Sequence, residues 1–143
     1  MPMNLPALYR ACRRYPLSLL YTGIICWGSL APLPPGTLPQ FRWSDKVVHL
    51  LMYLLLCLCI RFEDWRTRRA KERTAQRSPG HLRVIALYAP IALGGLLELA
   101  QAYLTTGRSG DVADFVANTL GCLLAAALAA CNGRKAKSAK PQA

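Results

Sequence analysis

The sequence predicts an all-α integral membrane protein, a four-transmembrane-helix bundle with both termini cytoplasmic. Three observations carry this expectation. Of 143 residues, 53% are hydrophobic and only 17% are charged, against about 25% charged in an ordinary soluble domain. The apolar residues gather into four runs close to the roughly 20 that a bilayer-crossing helix needs. The basic residues stay out of those runs: fifteen of the eighteen Lys and Arg fall in three separate segments. A disordered basic tail for nucleic acid is excluded, because such a chain is poor in apolar residues.

Residues 1–14 form an N-terminal tail with Arg10, Arg13 and Arg14. The first helix is expected from about 15 to 33. It has the layout of a secretory signal, with a basic start, an apolar stretch and the small-residue site Ser29-Leu30-Ala31. Pro32 directly after that site, with Pro34 and Pro35 beyond, argues against cleavage, so the helix is retained. The Pro/Gly-rich stretch from Pro32 to Pro39 breaks the chain into a first outer loop. The second helix spans about 43–62. Trp43 and Trp65 bracket it as interfacial aromatics do, and their spacing corresponds to about 33 Å of helix, the depth of a hydrocarbon core. Its uninterrupted apolar part, Val47 to Ile60, is broken only by His49. A basic loop, 63–83, leads to the third helix at about 84–104 and the fourth at about 112–131. The membrane domain therefore covers 15–131, and a basic tail, 132–143, follows.

The positive charges orient the bundle. The N-terminal tail, the 63–83 loop with its neighbour Arg61, and the C-terminal tail hold almost all the Lys and Arg, while only Arg42, Lys46 and Arg108 lie on the other side. Short loops rich in Lys and Arg stay cytoplasmic. The net charge of +11 thus reads as topology plus attraction to anionic headgroups. With no aromatic-interleaved basic patch, no nucleic-acid partner is expected. Five of the six cysteines sit in apolar runs and read as small apolar fillers. No cofactor and no metal is expected. A homodimer is compatible with four short helices, though no feature specifies one.

Ionisable groups at membrane depth are costly and mark function by default. Asp45, His49 and Tyr53 follow one another at i, i+4 and i+8 and share a helix face, with Lys46 beside them. The third helix carries Glu98 and Gln101. The fourth opens Arg108-Ser-Gly-Asp111-Val-Ala-Asp114 and continues to Asn118. Helices two and four start on the outer side and helix three ends there, so the three stripes converge at the extracytoplasmic end, with His49, Glu98 and Asn118 about 5–10 Å below the surface. No polar residue is expected to line the cytoplasmic half of any helix, which argues against a proton or ion pathway. Ser44 and Ser109 read as helix N-caps, and Gly107 to Gly110 as a tight turn.

The pattern Asp45-Lys46-x-x-His49-x-x-x-Tyr53, then Glu98-x-x-Gln101, then Arg108-x-x-Asp111-x-x-Asp114-x-x-x-Asn118-x-x-Gly121 resembles the VanZ-like family, small bacterial membrane proteins named for a teicoplanin-resistance protein. The resemblance spans just over half the chain. It implies an integral protein of the bacterial cytoplasmic membrane acting in the cell envelope, and no settled reaction or ligand.

Two functions fit the cluster. One is binding: a mixed-charge mouth flanked by Trp27, Tyr53, Tyr103 and Phe115 that takes an envelope lipid headgroup, a lipid-linked precursor or an amphiphilic glycopeptide-type antibiotic. The other is catalysis on an envelope lipid, with His49, Glu98 and Asp114 as acid, base or metal ligands. The chain's other histidine, His81, falls in the cytoplasmic loop, and a cluster with one histidine and no HExxH spacing weighs against the enzyme. Finally, an offset of 65 aligns residues 44–58 with 109–123, placing Lys46 on Asp111, His49 on Asp114, Tyr53 on Asn118 and Cys57 on Cys122. It suggests a parallel repeat of two helical hairpins.

Overall fold

The computed structural model describes residue 9 and residues 12–31, 44–72, 82–105 and 110–138. The described regular structure is all helical, and its four principal helices are α1 (Pro16–Leu30), α2 (Ser44–Glu72), α3 (Leu82–Leu104) and α4 (Val112–Ser138). Pro16 opens α1, where its missing N–H is no loss. Ala31 closes it in an extended conformation (φ −67°, ψ 138°), as the residue before Pro32 must, because the proline ring disfavours the helical region there.

Helix α2 outruns its apolar stretch. At 29 residues it is about 43 Å long, so residues 63–72, assigned to the loop on hydropathy alone, continue the helix. Arg, Glu, Ala and Lys favour helix, and Asp64 pairs with Arg68 one turn on at 2.7 Å. Hydropathy marks only the part of a helix that needs lipid. Helix α4 likewise runs on past Cys131 to Ser138.

Two helices are long and apolar enough to cross a membrane, α3 over Ala86–Leu104 and α4 over Val112–Cys131. Only 28% and 33% of those stretches are buried within the protein, so their apolar surface faces outward, unlike the core helix of a soluble protein. Leu20 and Trp27 of α1 and Leu51 and Leu55 of α2 are exposed as well. The interior is a narrow column of Ile25, Tyr53, Leu56, Cys57, Leu97, Cys122 and Ala125.

The closest packing joins α2 to α4. A Cβ on Gly121 would run into the carbonyl oxygen of Leu50 and the amide of Leu54, so the two backbones touch where only glycine fits. Several of the pairs that meet across this seam are 65 apart. Lys46 reaches Asp111, ligand atoms of His49 and Asp114 lie within 4.8 Å, Tyr53 and Asn118 together flank Gly94, and the thiols of Cys57 and Cys122 are in hydrogen-bonding contact. Lys46 to Asp114 and His49 to Asn118 cross the seam at separations of 68 and 69, so the two helices run parallel and the offset of 65 describes only part of it.

Gly121→Leu is expected to split this seam and destabilise the protein by about 1–3 kcal/mol, the usual cost of overpacking. Gly23→Ala, where an added Cβ meets nothing within 4 Å, should be neutral or slightly stabilising. Melting curves of the detergent-purified variants test the contrast, and equal melting temperatures would refute the contact.

Candidate functional site

The N-termini of α2 and α4 and the C-terminal part of α3 meet at one end of the bundle. Lys46 lies in the first turn of α2 and extends its ammonium to α4, where it bridges Asp111 Oδ2 at 2.7 Å and Asp114 Oδ1 at 2.8 Å. Asp111 has a second task. It is the N-cap of α4: its Oδ1 accepts the amide of Ala113 at 2.8 Å, satisfying one of the orphan donors of the first turn. The cap is therefore Asp111, whereas Ser109 lies outside the described residues. The Asp111 amide in turn donates to Glu98 Oε2 on α3 at 3.1 Å. Asp111 thus links all three helices.

The network continues inward through His49. Its Nδ1 lies 3.1 Å from Asn118 Oδ1, within hydrogen-bonding distance. The same nitrogen is 3.9 Å from Glu98 Oε1, and Nε2 is 3.8 Å from Asp45 Oδ1. His49, Glu98, Asp114 and Asn118 are buried, while the side chains of Asp45 and Asp111 are 45% and 46% exposed. The acids in the first turns of α2 and α4, Asp45 and Asp114, also complement the positive ends of those helices. Gly110 allows the approach to α3, since a Cβ there would collide with the carbonyl of Glu98. A close contact, rather than turn geometry, is what requires this glycine.

Seven of the residues singled out by spacing come together in this way: Asp45, Lys46, His49, Glu98, Asp111, Asp114 and Asn118. Tyr53 lies one turn deeper and is 1% exposed, with no hydrogen-bond partner for its hydroxyl among the described residues. Gln101 does not join the cluster. Its Nε2 donates to the Ser29 carbonyl at 2.8 Å, fastening α3 to the end of α1. Arg42, Arg108 and residues 107–109, where a tight turn is expected, lie outside the described residues.

A groove of about 600 Å³ adjoins the cluster between α3 and α4. Ala92, Leu96, Leu99 and Phe115 give it apolar walls, and Glu98 and Asp111 close its polar end. Sequence spacing does not reveal it, because its walls belong to two helices whose facing is set by tertiary packing.

The cluster has one lysine against four carboxylates among the described residues, and that lysine is already shared between two of them. Asp45, His49 and Asp114 each offer a ligand atom, all within 4.8 Å of one another, the spacing a divalent cation needs. The ammonium of Lys46 already holds Asp114. Mixed acids, a histidine and an amide beside an apolar groove match the pattern that runs from Asp45 to Gly121, and the VanZ/LLP1 family model matches residues 13–132. The chain belongs to the VanZ/LLP1 family. No curated protein matches it, and no solved structure does. Within this VanZ/LLP1 chain the matched region takes in α1, α2, α3 and the apolar length of α4, and every member of the cluster falls inside it.

The Asp111 carboxyl is held below the ordinary aspartate value of 3.8, first by the hydrogen bond from Lys46 and then by the Ala113 amide. A lowered carboxyl stabilises the fold above its unfolded value, and that contribution is lost as pH falls through the folded one. Asp111→Asn keeps a competent cap and removes the charge. Its melting temperature should therefore trail the wild type by a constant gap above about pH 4 that closes on further acidification. A gap that opens only on the alkaline side would refute the pairing.

Proposed function

We propose that this protein is a four-span protein of the bacterial cytoplasmic membrane, both termini inside, that binds a membrane amphiphile at its extracytoplasmic end. The polar head sits on the Glu98–Asp111–Lys46 cluster and the hydrocarbon chain in the adjoining groove. An envelope lipid, a lipid-linked wall precursor and an amphiphilic glycopeptide-type antibiotic share this chemistry, which points to envelope maintenance or antibiotic resistance. One observation carries the reading: an apolar groove open along the side of the bundle ends on two carboxylates. A water-soluble ligand has no use for such a wall, and an apolar one has no use for its end.

The orientation rests on the distribution of Lys and Arg and on outward-facing apolar side chains along all four helices. A single cysteine introduced at position 108 should react with a membrane-impermeant maleimide added to intact spheroplasts, and one at position 135 only after permeabilisation. The reverse labelling would invert the bundle and with it the site.

The binding reading is tested on the groove and on its end separately. Ala102→Trp, which fills the groove, and Glu98→Gln, which removes a charge from its head, should each reduce the copurifying amphiphile by about tenfold, a loss of about 1.4 kcal/mol, with membrane abundance unchanged. Lipid mass spectrometry of the purified protein is the readout. Loss of abundance in both variants would make the cluster a packing device. A second reading, catalysis on an envelope lipid, is favoured by the Asp45, His49 and Asp114 geometry. Bound divalent metal at one per chain, abolished by His49→Ala, would move the assignment to it.

A further inference from the structure

The opposite end of the bundle carries a second polar assembly. Glu63 on α2 lies 14 residues beyond His49, about 21 Å along the helix. It is 2% exposed, and its carboxylate is engaged by the start of α1. Leu17 N donates to Oε1 at 2.7 Å, Ser18 N to Oε2 at 3.1 Å, and the Ser18 hydroxyl also donates to Oε2. Tyr15 at the cap position makes no side-chain cap bond, so a carboxylate from another helix caps α1. Beside it, Asp64 accepts from Arg14 at 3.2 Å and from Arg68 at 2.7 Å.

Those bonds consume both acids. Around them a cavity of about 290 Å³ is lined by Arg13, Arg14, Pro16, Glu63, Arg66 and Thr67. Arg13 and Arg66 have no carboxylate partner among the described residues; each lies over an aromatic ring, Tyr9 at 6.0 Å and Phe62 at 5.9 Å. The Nε of Arg14 is buried without an acceptor among those residues. Phe62 and Trp65, stacked 6.0 Å apart, are exposed and adjoin Glu63 and Arg66 in sequence, as members of an aromatic belt at headgroup depth would. Three arginines line one cavity, and the carboxylate among its described lining residues, Glu63, is already bonded elsewhere.

We propose that this cavity is an anion site for a phosphate group, with Arg13 and Arg66 as its principal ligands and Arg14 as the donor fixed in place by Asp64. The planar fork of arginine suits phosphate oxygens, and basic pockets between helices at a membrane face take lipid phosphates. The proposal rests on the membrane reading of the chain and not on the occupant of the carboxylate end. The phosphate is that of an anionic lipid headgroup or free phosphate from solution.

The test titrates detergent-purified full-length protein, by thermal shift, with short-chain phosphatidylglycerol, short-chain phosphatidylcholine or inorganic phosphate. Saturable stabilisation by phosphatidylglycerol, and not by phosphatidylcholine, is expected. Arg13→Gln with Arg66→Gln should weaken it by about tenfold or more, the loss of at least one charged hydrogen bond. Arg69→Gln with Arg73→Gln removes equal charge and should change it by no more than about threefold. Inorganic phosphate acting alone with the same dependence on Arg13 and Arg66 would identify the free ion as the source; phosphatidylglycerol acting alone would identify the lipid. If the double Gln variant does not fold, Arg13→Lys with Arg66→Lys keeps the charge and loses the fork, and should still weaken binding several-fold. No saturation by either ligand, or equal losses in the two double Gln variants, would overturn the proposal.

Discussion

The contact between the backbones of α2 and α4 at Gly121 governs most of what lies above and below it. Lipid offers no hydrophobic drive between helices, so close approach and hydrogen bonds must supply the association. At Gly121 the approach is so close that a single added carbon would strike Leu50 and Leu54. With the two helices parallel, that one contact sets the register for the whole seam. Cys57 then meets Cys122 one step deeper, and Lys46 meets Asp111 at the mouth. A polar cluster drawn from 46, 49, 111, 114 and 118 is the consequence of a glycine.

The remaining helices are attached by bonds that each join a different pair. Glu63 caps α1 from α2. Gln101 holds the other end of α1 to α3. Glu98 accepts the amide of Asp111 and so ties α3 to the start of α4. Individually such bonds contribute under about 1 kcal/mol in a bilayer. Collectively they leave α1 pinned at both ends, which a helix of 15 residues with few buried side chains needs.

Much of this was legible because a helix has a fixed pitch. Asp45, His49 and Tyr53 must share a face, and so must Asp111, Asp114 and Asn118, whatever the neighbours are. Glu98 stood out as a carboxylate in an apolar run. The offset of 65 was also readable, and it pairs Lys46 with Asp111 but not with Asp114, nor His49 with Asn118. What stayed hidden depends on which helix lies beside which. Gln101 shares the spacing of a site residue, yet it bonds a backbone carbonyl of α1. Glu63 sits where hydropathy ends a helix and starts a loop, and nothing local shows that Ser18, 45 residues earlier, will bond to it. The groove is hidden for the same reason, since it exists only between two faces.

The two ends of the bundle carry opposite electrostatic demands, and the bonds already made within each decide what each still lacks. At the carboxylate end the Lys46 ammonium already donates to Asp111 and to Asp114, whose side chain is only 8% exposed, and keeps one N–H for an arriving group. Four carboxylates already compete for that one cation among the described residues, so an ammonium group would add a counterion for Asp45 and Glu98. At the arginine end the acids are the groups already satisfied, and the surplus is guanidinium. The bonds already made thus leave a surplus of carboxylate at the first end and of guanidinium at the second. Formal net charge, a sum over the whole chain, is silent about either end.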